Sequence, residues 1–276
     1  YLGFPGSMGC DYIDYLVADE TLVRPAELQA YSEKIVFLPD SYQVNDNTKH
    51  IAAAVPDRAS LGLPPEGFVF ASFNNSFKIT PFVFDVWMRL LQQVPGSVLW
   101  LLRSSDAARA NLEAEARARG IDPTRLVWAP HMPLDRHLSR HACADLFLDT
   151  PWCGAHTTCS DALWAGLPVL TIDGPGFASR VATSLLKAVR LPELVTTDLA
   201  SYETLALDLA RSPQRLAGLR GRLVAGRAEV PLFDTPLFAR RIENAFQAMW
   251  GRHCSGLAPA HMRFEEGGQV VALTQP

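Results

Sequence analysis

From residue 67 onward, short apolar runs alternate with segments of helical periodicity, and this alternation strongly constrains the fold. The apolar runs cover residues 68–73, 98–102, 126–128, 145–148 and 169–172. The helical patterns cover residues 81–94, 106–119, 133–141, 158–165 and 178–189. Strands that alternate with helices form β-α-β units. The pattern therefore predicts an α/β fold with a doubly wound parallel sheet that helices cover on both faces.

The segments on either side of this region are less regular. Before it, we predict a strand over residues 10–18, a short helix over 25–34 and a short apolar run over 35–38. The polar residues 40–65 are punctuated by Pro and Asn, which is typical of a connection between two units. After it, helical patterns cover residues 202–211, 213–228 and 235–250. We expect the weakly patterned tail, residues 251–276, to be loosely ordered.

Composition and charge exclude several classes of protein. The net charge is −4, so we expect no broad basic field for nucleic acid. No apolar run approaches the roughly 20 residues that cross a bilayer, and no signal-peptide pattern is visible. The five cysteines contain no C-x-x-C pair, which predicts reduced thiols and a cytoplasmic location. The chain opens on Tyr1 inside a turn-like segment, so we expect a fragment of a longer protein.

In an open parallel sheet, ligands bind beyond the carboxyl ends of the strands, and this rule selects five loops. They are residues 74–78, 103–105, 129–133, 150–158 and 173–176, and polar or small residues gather in all of them.

The fourth of these loops belongs to the stretch DTPWCGAHTTCSDALWAGLPVLT, residues 149–171. A strand, a loop with hydroxyl residues and a helix follow one another here. Such a helix start presents free N–H groups and a dipole that favour a phosphate. Alternatively, Thr157 or Thr158 only caps the helix, and the two interpretations are compatible.

Two side chains in these loops, and one in the helix that follows the fourth loop, are candidates for chemistry. Lys78 follows a predicted strand and can reach a phosphate, or it is a solvated lysine in a first helical turn. His156 can donate to a phosphate or a substrate hydroxyl, or it is merely hydrogen-bonded within its loop. Asp161 can accept ribose hydroxyls, or it complements the helix dipole.

Several other chemistries lack their motifs. His131, His137 and His141 suggest a metal site, but no carboxylate or cysteine completes a convincing set and no H-E-x-x-H occurs. The G-x-S-x-G and G-x-x-x-x-G-K-[ST] patterns are absent. The G-x-G-x-x-G fingerprint is also absent after Phe73, so we predict a nucleotide-type sheet without the NAD signature.

Several stretches together resemble the catalytic region of the O-linked N-acetylglucosamine transferases. They are FNNSFKI (73–79), SVLWLLRSS (97–105), APHMPLDRHLSRHACADLFLDTPWCGAHTTCSDALWAGLPVLT (129–171) and FASRVATSLL (177–186). The segments LGFPGSMGCDYIDYLVAD and PAELQAYSEKIVFLPD resemble the end of that family's N-terminal catalytic lobe. The resemblance covers residues 1 to 250 and favours the bacterial-type branch, because the family's long insert between lobes has no room here.

The resemblance implies a GT-B-type glycosyltransferase that holds UDP-N-acetylglucosamine (UDP-GlcNAc) in a cleft and needs no metal or other cofactor. The sugar would pass, with inversion, to Ser or Thr hydroxyls of proteins. The implied UDP contacts are Asn75, Lys78, Met132, Pro133, Leu134, His137, Leu138, Ser139, Arg140, His156, Thr157, Thr158 and the ribose-binding Asp161. The implied sugar contacts are Leu2, Gly3 and Cys153. Lys78 and His156 become the candidate catalytic residues.

The resemblance also divides the chain and predicts its partners. Residues 1–58 correspond to the end of the N-terminal lobe and a connection, 59–234 to the nucleotide-sugar-binding lobe, and 235–276 to a C-terminal helix and tail. The implied partners are UDP-GlcNAc, a protein or peptide acceptor, and an upstream lobe with tetratricopeptide repeats. We expect no nucleic acid or membrane among them.

Three positions depart from the family pattern, and two other functions stay open. The family often has Gln at Asn75 and Lys at Leu134, and some members have Tyr at Phe77. The second function is a UDP-sugar-dependent transferase or epimerase that acts on a non-protein substrate. The third is a UDP-binding module that is inactive without the upstream lobe, which in the family holds the histidines proposed as the base.

Overall fold

The computed structural model describes residues 1–265 and 270–272 and forms two sheets with helices packed against them. The strands are Tyr15–Ala18 (β1), Lys34–Phe37 (β2), Val69–Ser72 (β3), Val98–Leu102 (β4), Leu126–Ala129 (β5), Leu146–Leu148 (β6), Val169–Ile172 (β7), Val195–Thr196 (β8), Met262–Phe264 (β9) and Val270–Ala272 (β10). The α-helices are Pro81–Gln93 (α1), Asp106–Ala118 (α2), Leu134–Arg140 (α3), Thr157–Trp164 (α4), Phe177–Ala188 (α5), Leu199–Ala210 (α6), Pro213–Gly226 (α7) and Thr235–Cys254 (α8).

The larger sheet has the strand order β5-β4-β3-β6-β7-β8, and every neighbouring pair in it is parallel. The chain enters at β3, moves outward to β5, returns to β6 beside β3, and then moves outward the other way. Because right-handed crossovers in opposite directions place helices on opposite faces, this order gives a doubly wound sheet. The predicted α/β class and parallel sheet are confirmed. The boundary between β3 and β6 is the topological switch point, where such sheets bind ligands.

The burial of the larger sheet explains why its sequence pattern was readable. All four residues of β3 and all four of β7 are buried, so these strands appear as continuous apolar runs rather than alternating ones. The helix α1 buries one apolar stripe that includes Trp87 and Leu91. Every predicted strand and helix from residue 67 onward is present, with boundaries that differ by at most four residues.

Two predictions before this region were wrong in part, and one short strand within it was not predicted. Only the last four residues of the predicted strand 10–18 are extended in a sheet, because β2 offers just four residues for pairing. The segment before β1 is instead held by Glu33, which accepts hydrogen bonds from Met8 N at 2.6 Å and Ser7 Oγ at 2.7 Å. The predicted helix over 25–34 is a 3₁₀ helix, Pro25–Ala30. The two-residue strand β8 was not predicted, since so short a strand leaves no periodicity.

The C-terminal segment is more ordered than its sequence suggested, within the part that the structure describes. Residues 266–269 and 273–276 of the predicted loose tail lie outside that part. The smaller sheet has the order β1-β2-β9-β10, so the tail strand β9 pairs in parallel with β2. Met262 and Phe264 are buried there against Val36 and against Ala245 of α8. The sequence hid this strand because its partner lies more than 200 residues earlier.

A buried arginine joins the smaller sheet to the larger one. Arg180 on α5 is 1% exposed and donates to both carboxylate oxygens of Glu27, at 2.6 and 2.7 Å. It also donates to the carbonyl oxygens of Leu22 at 3.0 Å and Gly174 at 2.9 Å. A fully desolvated guanidinium is tolerated only when its N–H groups are matched in this way. The two sheets are therefore held in a fixed arrangement along α5.

None of the helices within residues 1–265 and 270–272 combines the length and apolar character that crossing a membrane requires.

Candidate functional site

The loops that follow β3 and β6 meet at the switch point, and both are among the five loops selected from the sequence. A 3₁₀ helix, Ser76–Lys78, begins four residues after the end of β3 and ends at Lys78 beside the neighbouring loop. Lys78 Nζ donates to the carbonyl oxygen of Gly154 at 2.8 Å. An ammonium has three N–H groups, so this contact leaves donors for a ligand. Lys78 thus lies beside the loop that leads into α4.

A buried network around Asn74 holds these two loops together. Asn74 Nδ2 donates to Asp149 Oδ1 at 3.0 Å and to Thr150 Oγ1 at 2.8 Å. Its Oδ1 accepts from Thr158 Oγ1 at 2.8 Å. One amide therefore ties the end of β3 both to the end of β6 and to the first turn of α4. Because Asn74 is only 3% exposed, solvent cannot replace these bonds cheaply.

Asp149 is the centre of the same network. Its carboxylate accepts hydrogen bonds from Thr150 N, Ala155 N and Thr171 Oγ1, each at 2.7 Å, in addition to Asn74. Burial raises the pKa of Asp149, and these donors oppose that rise. The loop between Thr150 and Ala155 is thereby folded around one carboxylate, which fixes where α4 begins.

Gly154 lies close to two oxygen atoms, which leaves little room for a side chain. A Cβ at Gly154 would lie 3.1 Å from Asp149 Oδ2 and 3.3 Å from the carbonyl oxygen of Ala178. Gly154 N also donates to that Ala178 oxygen at 2.9 Å. The residue that accepts from Lys78 is therefore held by backbone contacts on its other side.

The start of α4 leaves its first N–H groups without a side-chain cap. His156 is the N-cap residue, and no side chain accepts a hydrogen bond from the first turn. Thr158 uses its hydroxyl to contact Asn74, while Thr157 is exposed. The alternative in which Thr157 or Thr158 only caps the helix is therefore wrong. N–H groups left free at a helix start are suited to an anion.

His156 is half-buried, and its ring already forms a hydrogen bond within the protein. Its Nε2 lies 3.3 Å from the carbonyl oxygen of Ala178. Burial lowers the pKa of His156, and the nearby positive charge of Lys78 lowers it further. The neutral ring must carry its proton on Nε2 to make this bond, so Nδ1 is left as an acceptor. In this arrangement His156 Nδ1 can accept a hydrogen bond from a hydroxyl group, and the free backbone N–H groups of the first turn can donate to an anion.

A cavity of about 360 Å³ opens at this helix start. It is lined by Leu2, Tyr42, Gln43, Val44, Asn45, Asp46, Lys49, His156 and Thr157. Of the predicted sugar contacts, Leu2 lines this cavity and Gly3 lines an adjoining one of about 150 Å³. Cys153 is half-buried in the loop before α4, and its carbonyl oxygen accepts from Thr150 Oγ1 at 2.8 Å. The structure thus brings Leu2 and the helix start to one cavity.

Asp161 forms an ion pair that the sequence did not reveal. Its Oδ1 lies 2.6 Å from Lys49 Nζ, and the two side chains are 9% and 14% exposed. Lys49 belongs to the connection between the sheets. Asp161 lies on the second turn of α4, so its carboxylate is near the candidate phosphate site, with Oδ1 bonded to Lys49.

The predicted uridine contacts lie on or just before α3, near the end of β3. Met132 is half-buried, Pro133 is the N-cap residue and Leu134 is 49% exposed. His137 packs with its ring 5.4 Å from that of Phe73, the residue before Asn74. The helix start of α3 is therefore accessible and lies close to the switch point.

The last residues of α3 point into the core instead. Leu138, Ser139 and Arg140 are buried. The Arg140 guanidinium lies 4.8 Å from the centre of the Phe73 ring and donates to Pro130 O at 2.6 Å. Asn75, by contrast, is exposed at the start of the 3₁₀ helix before Lys78. Contacts of all these residues with UDP stay predictions.

The pair formed by His137 on α3 and His141, the residue after that helix, predicts how stability depends on pH. Burial lowers the pKa of His137 to about 3 and that of His141 to about 4, from 6.5. The unfolded chain therefore binds more protons below pH 6.5, so the free energy of unfolding should fall as the pH drops. The slope should approach about 1.4 kcal/mol per pH unit for each ring. Urea denaturation from pH 7 to 4 measures it.

A His137→Gln/His141→Gln variant is the control, and its pH dependence over the same range should be flatter. Titration of either ring near pH 6.5, observed by NMR, would contradict this assignment.

The described residues 1–265 and 270–272 contain no group of three or more His, Cys, Asp or Glu side chains placed to hold a metal ion.

Sequence reasoning missed Asn74, Asp149 and Lys49 as parts of the site. Asp149 directly follows the buried strand β6 and Asn74 lies two residues after β3, and these positions were an available signal. Lys49 offered none, because it lies in a polar connection 112 residues before its partner.

The doubly wound parallel sheet, with its polar loops at the switch point, has the fold of a GT-B-type lobe. The O-GlcNAc transferase of Thermobaculum terrenum, solved as a lysine-to-methionine mutant, superposes with a TM-score of 0.76 at 30% identity, over 88% of this chain and 46% of that one. The Anabaena protein HepE, solved with UDP and glucose, shares the fold with a TM-score of 0.56 at 14% identity, over 78% of this chain and 57% of that one.

The chain belongs to glycosyl transferase family 41, whose model matches residues 1–54 and 49–242. A probable UDP-N-acetylglucosamine–peptide N-acetylglucosaminyltransferase of Arabidopsis thaliana, SEC, is 39% identical over 96% of this chain and 28% of its own length. The Caenorhabditis elegans UDP-N-acetylglucosamine–peptide N-acetylglucosaminyltransferase is 37% identical over 74% of this chain and 18% of its own length. The chain thus spans less than a third of these relatives. The family resemblance of the sequence is confirmed.

Proposed function

We propose that this chain is the donor-binding part of an enzyme that transfers N-acetylglucosamine from UDP-GlcNAc to Ser or Thr hydroxyls of proteins. Membership of family 41 and the names of the relatives support the donor and the acceptor class. The proposal rests chiefly on one contact: Lys78 donates a hydrogen bond to the loop that leads into α4. A cation and free N–H groups at one sheet edge suit a diphosphate.

The proposed chemistry is a single displacement with inversion. The acceptor oxygen attacks the anomeric carbon, and the bond between that carbon and the β-phosphate oxygen breaks. Negative charge then grows on the diphosphate, where Lys78 and the N–H groups of Thr157 and Thr158 stabilise it. Preorganised donors of this kind contribute about 3–4 kcal/mol each in a site that excludes water. These groups take the role that a divalent cation has in other transferases, so we propose a metal-independent reaction.

The remaining roles follow from the positions of the side chains. We assign the ribose hydroxyls to Asp161 and the uracil to the exposed start of α3. His156 Nδ1, as an acceptor, suits a sugar hydroxyl above the cavity that Leu2 lines. A general base takes the acceptor proton and typically contributes about 10²–10⁴-fold. Because the relatives are several times longer than this chain, we propose that other lobes of the whole protein supply the base and the acceptor contacts.

Mass spectrometry of the products tests this function directly. The whole protein is incubated with UDP-GlcNAc and either a Ser- and Thr-containing peptide or small sugar acceptors. We expect one N-acetylhexosamine on a peptide hydroxyl, with an anomeric configuration opposite to that of the donor, and no effect of a metal chelator. A modified small acceptor or an epimerised donor with an unmodified peptide would contradict it. Binding of UDP without any turnover would instead identify a binding module.

A further inference from the structure

The ion pair between Lys49 and Asp161 joins the connection between the sheets to the second turn of α4. The Lys49 Nζ–Asp161 Oδ1 distance is 2.6 Å, and the side chains are 14% and 9% exposed. So little solvent screens this pair that each charge would be costly without the other. The pair therefore fixes both side chains rather than forming a loose surface contact.

The backbone around Lys49 is held on several sides. Trp164 Nε1 donates to the carbonyl oxygen of Lys49 at 3.1 Å. Before it, Thr48 N and Oγ1 both donate to Asp46 Oδ1, at 2.8 and 2.7 Å. After it, Ala52 N donates to the carbonyl oxygen of Asp135 at 3.1 Å. Because these bonds order the connection in advance, Lys49 loses little further conformational freedom when it pairs with Asp161.

Lys49 also lines the cavity at the start of α4. Leu2, His156 and Thr157 are among the other residues that line this space of about 360 Å³. The ammonium is therefore near the place where we propose that the diphosphate binds. A cation here reduces the repulsion between that anion and the carboxylate of Asp161.

Only one oxygen of Asp161 is occupied. Oδ1 accepts from Lys49, whereas Oδ2 accepts no hydrogen bond from any residue among 1–265 and 270–272. An ionised carboxylate has about four acceptor positions. The oxygen that Lys49 leaves free is thus available to hydroxyl groups of a ligand.

We propose that Lys49 is a positioning residue that makes Asp161 selective for the ribose hydroxyls of the nucleotide. It holds one carboxylate oxygen so that the other faces the ribose, and it balances the carboxylate charge beside the diphosphate. The inference rests on the proposed function, since it requires a nucleotide at the start of α4. It adds a residue from the connection to a site otherwise built from the larger sheet.

Calorimetric titration of the whole protein with UDP and with 2′,3′-dideoxy-UDP tests this role. We expect the wild type to prefer UDP by about tenfold or more, the value of one charge-assisted hydrogen bond. Lys49→Met should bring the preference close to one, as should Asp161→Asn. Lys49→Arg keeps the charge and should retain most of the preference. Lys187→Met, on the exposed end of α5, is the matched control and should leave it unchanged.

The double variant Lys49→Met/Asp161→Asn separates positioning from stability. If Lys49 acts through Asp161, adding Lys49→Met to Asp161→Asn should not change the preference for UDP over 2′,3′-dideoxy-UDP any further. Full preference in Lys49→Met, even with a lowered melting temperature, would show that the pair only stabilises the fold and would overturn the inference. Full preference in Asp161→Asn would overturn it as well. A wild type that binds neither nucleotide would overturn the proposed function itself.

Discussion

Replacing Lys78 with methionine is expected to lower kcat by roughly 10²–10³-fold and to leave the fold intact. Methionine keeps most of the side-chain volume but removes the only charge in the loop after β3. The charge that develops on the leaving diphosphate would then lose its ammonium partner. The one hydrogen bond lost from the resting protein, to Gly154 O, contributes only about 1 kcal/mol to stability.

The chain offers a close control for this substitution. It contains only four lysines, Lys34, Lys49, Lys78 and Lys187. Lys187→Met makes the same chemical change at an exposed position on α5 and should leave kcat unchanged. Steady-state kinetics and thermal melting of both variants, in the whole protein, give the comparison. Near-normal turnover in Lys78→Met would refute leaving-group stabilisation by this residue.

Replacing Asp149 with alanine is expected to lower the free energy of unfolding by about 3–5 kcal/mol. The change removes the acceptor of Asn74 Nδ2, Thr150 N, Ala155 N and Thr171 Oγ1. Four donors would lose their partner where water has little access, since Asp149 is 1% exposed. Urea denaturation measures the loss.

Asp106→Ala is the control for the Asp149 substitution, because the Asp106 side chain is 87% exposed. It should cost less than about 1 kcal/mol, the typical value of an exposed charge at a helix start. Equal losses in the two variants would show that the network around Asp149 does not hold the loop. Asp149→Asn should lie between them, since it keeps one oxygen but turns an N–H₂ group toward donors.

The parts of the fold that can be predicted from the sequence are those that depend on residues close together in the chain. The fully buried strands β3 and β7 appear as apolar runs, and α1 shows an apolar stripe. The polar loops after β3 and β6 pointed to Lys78 and to the start of α4. The structure confirms that the two loops meet, because β3 and β6 are neighbours.

The features that could not be predicted from the sequence depend on contacts between residues that are distant along the chain. The strand β9 has three residues and pairs with β2, so its pattern alone is uninformative. The pairing of Lys49 with Asp161 depends on where a polar connection crosses α4. Asn74 is one of two adjacent asparagines, and only the packing shows that it is the buried one while Asn75 is exposed. Composition and periodicity do not determine which distant residues pair or which of two adjacent residues is buried.

A crystal structure of the protein with UDP tests the central claim most directly, because that claim concerns where a diphosphate binds. We predict the diphosphate between Lys78 Nζ and the N–H groups of Thr157 and Thr158, with the ribose beside Asp161. A diphosphate bound away from both loops, with Lys78 still bonded only to Gly154, would contradict it.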